Sequence, residues 1–158
     1  MSPIEKAAIE DAPEIAAMIN RFASREIVLP RSLNDVYENL RDFFVWREDG
    51  EILACAALHI TWRGLGEVRS LVVGEERQGT GVGTALVESC LAEARELGMV
   101  RVFVLTYVPE FFERFGFVRV AKEELPHKIW ADCLNCPKFP HCDEVALVLD
   151  LDREPTQE

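Results

Sequence analysis

Basic residues are scarce in this chain. Seventeen lysines and arginines stand against 28 aspartates and glutamates, which gives a formal net charge of −11. A protein with that charge repels both the phosphate backbone of nucleic acids and anionic lipid surfaces. The sequence therefore argues against nucleic acids and membranes as partners.

The chain also lacks long apolar runs and an even number of cysteines. No apolar stretch reaches the roughly 18 residues typical of a membrane-spanning helix, and the first residues have neither the basic nor the apolar region of a signal peptide. The five cysteines fit reduced thiols or a metal site better than a secreted disulfide framework. We therefore expect a cytoplasmic protein.

What the chain does have is the composition of an ordinary globular protein, with 49% hydrophobic and 28% charged residues. We expect one domain over residues 1–151 and a polar tail over 152–158. The residue pattern predicts mixed α/β order. The predicted strands are one through Ile9, an antiparallel pair turning at Asp49-Gly50, one ending at Val73, and others over 100–106, 117–120 and 144–151. The predicted helices lie over 12–23, after Ser32, over 81–97 and, as a short helix, over 109–115. Residues 123–141 follow no clear period.

The most informative local pattern is a glycine-punctuated turn between the strand ending at Val73 and the helix that follows. It runs Gln78-Gly79-Thr80-Gly81-Val82-Gly83, and Thr84 continues it into the helix. Three glycines remove Cβ atoms where the chain must bend, so that backbone N–H groups and the positive end of the helix can point at one anion. The pattern predicts a pyrophosphate-binding turn, and the alternative is a plain strand-to-helix connection.

Two other phosphate loops do not fit this turn. No Lys-Ser or Lys-Thr pair follows the last glycine, and the spacing is G-x-G-x-G, not G-x-G-x-x-G. Neither an ATPase nor a dinucleotide-binding site is favoured. The turn resembles the acyl-coenzyme A loop of the GCN5-related N-acetyltransferases, called GNAT proteins, and Phe111-Phe112-Glu113-Arg114-Phe115-Gly116-Phe117 is similar to that family's second motif, which packs beside the coenzyme A thiol.

This resemblance implies a fold and a cosubstrate. The fold is an α/β one with a mixed, mostly antiparallel central sheet flanked by helices, and the cosubstrate is acetyl-CoA. The residues expected to bind it are Leu71, Val72, Val73, Gln78, Gly79, Thr80, Gly81, Val82, Gly83, Thr84 and Phe112. A homodimer is compatible with this fold, whose members are often dimers. Phe112 stands where many members have a tyrosine that protonates the thiolate, so it cannot serve as that acid, and Tyr107 is more simply a packed strand-end residue.

A closer resemblance covers most of the chain. The matching stretches are Ile27-Val28-Leu29-Pro30-Arg31-Ser32, Ala54-Cys55-Ala56-Ala57-Leu58, Gly66-Glu67-Val68, Val102-Phe103-Val104-Leu105-Thr106 and Glu124-Leu125-Pro126. They resemble the acetyltransferase domain of bacterial N-acetylglutamate synthases, which acetylate the α-amine of glutamate at the start of arginine synthesis. The chain is similar to the short form, without the amino-acid-kinase-like domain, and this puts regulation by arginine in doubt.

The synthase resemblance also implies roles for single residues. Glu67 matches the acidic residue expected to take a proton from the ammonium group, directly or through a water, and Thr106 matches a hydroxyl residue near the substrate. A solvated glutamate at a strand start and a strand threonine chosen for packing are the alternatives. Backbone N–H groups of 71–73 are candidates for stabilising the oxyanion, and Ser70 just before them offers a hydroxyl or an amide.

The substrate's negative charge needs local cations in so acidic a protein. Arg31 matches the family's carboxylate-binding arginine and has the bidentate geometry for that role. Lys138 falls where the family has a basic residue for the second carboxylate, although a solvated surface lysine is equally consistent with the sequence. Arg69 is a third candidate.

A cysteine cluster lies in the stretch without a clear period. Cys133, Cys136 and Cys142, with His127 and His141 nearby, offer soft ligands for zinc, but the second half of a CxxC…CxxC pair is absent. Reduced, unligated thiols are the favoured alternative to zinc, and an iron–sulfur site is the least favoured. Cys55 and Cys90 lie in apolar runs and are expected in the core.

The predicted function is therefore acetyl-CoA-dependent acetylation of the α-amine of L-glutamate by direct transfer. Glutamine, aspartate or a polyamine are alternative acceptors, and a non-catalytic acyl-CoA-binding or metal-responsive sensor is an alternative of a different class. Arg31 favours an anionic acceptor over a cationic one.

Overall fold

The computed structural model describes residues 3–25, 28, 30–125 and 144–151. By its internal contacts the chain divides into two compact units. The first unit comprises Met1–His59 and Val68–Ala94, and the second comprises Ile60–Glu67 and Arg95–Glu158.

Seven strands and four α-helices appear among the described residues. The strands are β1 (Ile4–Lys6), β2 (Phe43–Glu48), β3 (Glu51–Trp62), β4 (Leu65–Val73), β5 (Arg101–Thr106), β6 (Val118–Val120) and β7 (Val145–Asp150). The helices are α1 (Ala12–Ala23), α2 (Leu33–Glu38), α3 (Val82–Glu96) and α4 (Pro109–Glu113). Hydrogen bonding links the strands in the order β1-β2-β3-β4-β5-β7-β6. β4 and β5 pair in parallel, and β1–β2, β2–β3, β5–β7 and β6–β7 pair antiparallel.

The core of the first unit forms where α1 packs its apolar stripe. Ile15, Met18, Ile19 and Phe22 are all buried, as their helical spacing predicts. They share a cluster with residues of α2 and the strands, among them Val36, Phe43, Val45 and Val72. The helix begins after Asp11 with Pro13 in its first turn, where the missing N–H of proline costs no hydrogen bond.

The β2–β3 hairpin confirms the prediction made from Asp49-Gly50. Asp49 has φ of 51° and Gly50 has φ of 78°, the left-handed pair that a tight hairpin turn requires. The register pairs Glu48 with Glu51 and Phe43 with Ala57. This register brings Asp42, the residue before β2, close to His59 towards the end of β3.

The first strand is shorter than predicted. β1 ends at Lys6, and Ile9–Asp11 form a 3₁₀ turn in which Ile9 is 70% exposed. The Asp11 carboxylate accepts the Ala8 N–H at 2.8 Å and so bends the chain away from the sheet.

The second unit is built on β5, which has a partner on each side. Glu67 of β4 lies opposite Phe103 in the parallel ladder, and β7 runs antiparallel from Arg101↔Asp150 to Thr106↔Val145. A core cluster of this unit contains Leu65, Phe103, Leu125, Ala146 and Val148. Within the described residues of the chain, none of the helices is long and apolar enough to span a membrane.

Candidate active site

Two of the three glycines predicted to form the turn have the backbone of a sharp bend, whereas Gly83 lies within α3. Gly79 and Gly81 have φ of 77° and 89°, a region that residues with a side chain rarely adopt. A Cβ at either position would meet no atom within 4 Å, so the constraint there is backbone conformation and not space. The Gln78 side chain donates to the Val73 carbonyl at 3.0 Å and ties the turn to the end of β4.

The helix that follows the turn is suited to an anion. α3 begins at Val82 and has no acidic residue in its first turn. Its free N–H groups and the positive end of its dipole are therefore not offset by a carboxylate on the helix itself. Gly83 and Thr84 lie in this first turn, half-buried.

An ion pair braces the turn from the β2–β3 hairpin. Glu48 receives two guanidinium N–H groups of Arg77, one of them from Nε at 2.7 Å, and also accepts the Trp46 indole N–H at 2.7 Å. These hydrogen bonds, those of Arg77 first, lower the pKa of Glu48 from 4.5 to about 2. The Arg77 carbonyl in turn accepts the Thr80 hydroxyl, so the brace reaches into the turn.

Ser70 interrupts the regular geometry of β4. Its φ is 57°, in the left-handed region, which is strained for a non-glycine residue. The Cys55 thiol contacts the Ser70 carbonyl at 3.6 Å. Neighbouring residues of a regular strand face opposite sides, yet Arg69 and Ser70 line the same pocket, as the bend at Ser70 permits.

That pocket, which we call the arginine pocket, lies in the first unit. Its lining residues are Arg31, Asp35, Val36, Asn39, Asp42, Phe43, Ala57, Arg69 and Ser70. Three residues that the sequence predicts or suggests for the acceptor, Arg31, Ser70 and Arg69, are thus brought together. The lining therefore places two guanidinium groups, which can bind carboxylates, beside the carboxylates of Asp35 and Asp42.

Arg31 is held by residues that the sequence analysis does not identify. The Asn20 side chain clamps its backbone at both ends, accepting the Arg31 N–H at 3.0 Å and donating to the Arg31 carbonyl at 2.7 Å. Its guanidinium contacts Asp35 at 3.2 Å. The N-cap of α2 adds to this arrangement, since the Ser32 hydroxyl accepts the Asp35 N–H at 3.0 Å.

Asp42 and His59 form a second pair that the sequence analysis misses. Asp42 lines the arginine pocket, and His59 Nδ1 lies 2.7 Å from its Oδ2. The two residues are 17 positions apart, so no local motif signals the contact. Only the register of the β2–β3 hairpin brings them together.

Glu67 and Thr106 lie on adjacent strands of the second unit. Glu67 is half-buried opposite Phe103, and Thr106 closes β5 with 8% exposure. The Thr106 hydroxyl oxygen accepts the Val108 N–H at 3.0 Å, which leaves its own proton available for donation. Glu67 precedes Ser70 by three positions on β4.

Phe112 lies in an aromatic cluster of the second unit. It is 2% exposed, and its ring meets Phe111 and Phe117 edge to face at 5.1 and 5.7 Å. Packing therefore explains much of this motif. The cluster presents an apolar surface of aromatic rings, and Phe112 has no hydroxyl group to offer a thioester.

The remaining predicted residues lie outside the described part of the chain. These are Lys138 and the three cysteines Cys133, Cys136 and Cys142. Among the residues that are described, no group of three or more histidine, cysteine or acidic side chains is arranged to hold a metal. Cys55 and Cys90 are buried as predicted, and burial raises the pKa of each thiol to about 12.

Comparison with known proteins places this geometry in a family. The model of the acetyltransferase (GNAT) family matches residues 10–117. An uncharacterized N-acetyltransferase of Chlorobaculum tepidum is 41% identical over 148 residues, 94% of this chain and 96% of that protein. An amino-acid acetyltransferase of Mycobacterium tuberculosis is 37% identical over 120 residues, 74% of this chain and 68% of that protein.

Solved structures give the same result. A Mycobacterium tuberculosis protein in complex with CoA has a TM-score of 0.81 and 28% identity, covering 94% of this chain and 99% of that one. The N-acetylglutamate synthase of Neisseria gonorrhoeae, complexed with coenzyme A and N-acetyl-glutamate, has a TM-score of 0.85 and 30% identity. The match covers 95% of this chain but 35% of that synthase.

Proposed function

The chain belongs to the GNAT family of N-acetyltransferases, and from this premise we propose that it transfers the acetyl group of acetyl-CoA to the α-amine of L-glutamate. The observation that carries the proposal is the arginine pocket, where Arg31 and Arg69 line one cavity with Ser70. Two guanidinium groups match the two carboxylates of glutamate, each able to form paired hydrogen bonds. These guanidinium groups favour an anionic acceptor over a cationic polyamine.

In our proposal the glycine turn binds the coenzyme. Its two left-handed glycines and the N-terminus of α3 offer backbone N–H groups to the pyrophosphate. In our proposal, Leu71 to Val73 carry the thioester arm, and their backbone N–H groups stabilise the oxyanion of the tetrahedral intermediate. The related Neisseria gonorrhoeae synthase, solved with coenzyme A, supports a coenzyme site in this fold.

Transfer needs a free amine, whereas an α-amino group near neutral pH is largely ammonium. In the proposed mechanism Glu67 accepts the first proton, directly or through a water. The amine nitrogen attacks the acetyl carbon, and the carbon–sulfur bond breaks. The second amine proton neutralises the leaving thiolate, and in our proposal the Thr106 hydroxyl, whose oxygen accepts the Val108 N–H, relays it.

The resemblance to N-acetylglutamate synthases also implies a metabolic role. Acetylation of glutamate opens arginine biosynthesis, and we propose that step for this protein in the cytoplasm. The named amino-acid acetyltransferase of Mycobacterium tuberculosis, 37% identical, supports an amino acid as acceptor.

The test is thiol release from acetyl-CoA with glutamate, glutamine, aspartate, lysine and spermidine supplied in parallel. We expect release to be fastest with glutamate. The variant Arg31→Gln should raise the KM for glutamate about tenfold or more, since a charged hydrogen bond is worth about 1.5–3 kcal/mol. Arg95→Gln, an exposed arginine near the end of α3, is the matched control.

Two results would contradict this function. Faster release with glutamine, aspartate, lysine or spermidine would keep the chemistry and change the acceptor. Binding of acetyl-CoA without release in the presence of any of these amines would instead support a non-catalytic sensor.

A further inference from the structure

The pair formed by Asp42 and His59 is not used by the proposed mechanism. Asp42 directly precedes β2, and His59 lies two residues beyond Ala57, the partner of Phe43 in the hairpin register. The pair is largely shielded, with side-chain exposures of 20% for Asp42 and 26% for His59. A histidine that contacts a single carboxylate oxygen at 2.7 Å fixes the rotation of that carboxylate.

The two aspartates of the arginine pocket differ in their partners. Asp35 uses both oxygens within the site, since Oδ2 contacts Arg31 at 3.2 Å and Oδ1 accepts the Asn39 side-chain amide at 3.1 Å. His59 contacts Oδ2 of Asp42, so Oδ1 remains as a second acceptor on the same oriented group. Asp35 therefore supports Arg31, and a different role is open to Asp42.

Charge balance indicates that role. The substrate proposed above carries two carboxylates and one ammonium group. The pocket lining contains two arginines and two aspartates, and because Asp35 is held by Arg31, Asp42 is the lining carboxylate left to meet the ammonium group. A buried ammonium without an anionic partner is costly, so a site for an amino acid needs such a group.

We propose that Asp42, oriented by His59, receives the α-ammonium group of the acceptor and selects an amino acid over a dicarboxylate that has no amine. This inference rests on the proposed function. Asp42 is then a specificity-determining residue and His59 a positioning residue. Because a nearby anion favours the charged ammonium, Asp42 strengthens binding but opposes deprotonation. Its removal should therefore affect KM and not lower kcat.

The first test uses Asp42→Asn with two ligands. Glutamate carries the amine, and glutarate, which has the same two carboxylates and is assayed as an inhibitor, does not. We expect the KM for glutamate to rise about tenfold, with kcat unchanged or higher. Glutarate inhibition should stay the same or tighten, because a negative charge has left the pocket, and the KM for acetyl-CoA should not change.

The matched control is Asp49→Asn. It removes the same charge at the exposed hairpin turn, where φ of 51° suits asparagine. This variant should leave all four constants as in the wild type. Equal weakening of glutamate and glutarate by Asp42→Asn, or no change in either, would overturn the proposal.

Histidine variants separate positioning from folding. His59→Ala should raise the KM for glutamate, and His59→Asn, whose side-chain amide can still donate to Asp42, should restore most of the loss. A fall in melting temperature together with higher KM values for both substrates would show a structural role and overturn the inference. Failure of the proposed function is visible separately, because a wild-type protein that neither acetylates nor binds glutamate refutes both proposals before any variant is made.

Discussion

At the residue scale, the proposed chemistry depends most on Glu67. Its carboxylate lies half-buried on β4, three positions before Ser70. Glu67→Gln keeps the size of the side chain and removes the base. We expect kcat to fall by about 10²–10⁴, the usual contribution of a general base, while the KM for acetyl-CoA stays the same. Steady-state kinetics with glutamate measure both constants.

A rise in pH supplies more free amine and should partly restore the activity of Glu67→Gln. The exposed Glu96 of α3 provides the control, because Glu96→Gln removes the same charge elsewhere. Unchanged kcat in Glu67→Gln would remove this residue from the mechanism and shift attention to another base.

The residues around Arg31 show what a resemblance conveys and what it leaves out. The sequence identifies Arg31 by a matching stretch and Ser70 by its place just before Leu71, and the structure brings both to one pocket with Arg69. The sequence does not identify Asn20, whose two hydrogen bonds hold the Arg31 backbone, or the pair of Asp42 and His59. These contacts join residues on different elements, and no local spacing encodes them.

At the scale of elements, local sequence patterns predict helices and hairpins best. α1 and the β2–β3 hairpin appear where capping, periodicity and an Asp-Gly turn predict them, since these signals depend on neighbours in sequence. β1 is shorter than predicted because Asp11 captures the Ala8 N–H and starts a 3₁₀ turn. That competition is a side-chain effect that an apolar run does not reveal.

The ion pair between Glu48 and Arg77, which links the β2–β3 hairpin to the glycine turn, should make the stability of the fold depend on pH. The lowered pKa of Glu48, from 4.5 to about 2, means that the folded state favours the ionised carboxylate. Its stabilising contribution is complete above pH 4.5 and is lost as pH falls towards 2. The free energy of unfolding of Glu48→Gln should therefore lie below that of the wild type by a constant amount above pH 5, and the gap should close on acidification. Urea unfolding at several pH values measures it.

The surface pair of Glu110 and Arg119 is the control for this brace. Glu110 is 79% exposed and contacts Arg119 at 3.3 Å, so Glu110→Gln should hardly change stability. Since Arg77 anchors the Thr80 hydroxyl, Glu48→Gln should also raise the KM for acetyl-CoA. A gap that stays constant down to pH 2 would show that the ion pair does not stabilise the fold.

For the whole molecule, the strand order is the part that the residue pattern alone does not give. β7 inserts between β5 and β6 although it is the last of the strands that the structure describes, and its pairing with β5 joins segments far apart in sequence. The GNAT resemblance supplies the fold class, and the family match over residues 10–117 confirms it. Hydrophobic periodicity by itself fixes faces and elements but not which distant strands pair.

The net charge of −11 leads to a prediction about ionic strength. Acetyl-CoA and glutamate are both anions, so the field of the whole protein slows their approach while the arginine pocket attracts at short range. At about 0.01 M salt the Debye length is about 30 Å and the repulsion acts over the whole molecule, but at 0.15 M it is about 8 Å. Raising salt over this range should therefore increase kcat/KM for glutamate, by about twofold or more.

Charge changes on the exposed face of α3 would isolate the effect of that field. Glu88→Lys and Glu96→Lys together reverse two charges at exposed positions. They should raise kcat/KM at low salt and flatten its salt dependence, while kcat at saturating substrate stays the same because the chemical step is unaffected. A decrease of kcat/KM with added salt in the wild type would show that local attraction by Arg31 and Arg69 outweighs the repulsion by the whole protein. The proposed site would then draw in its anionic substrates despite the acidic surface around it.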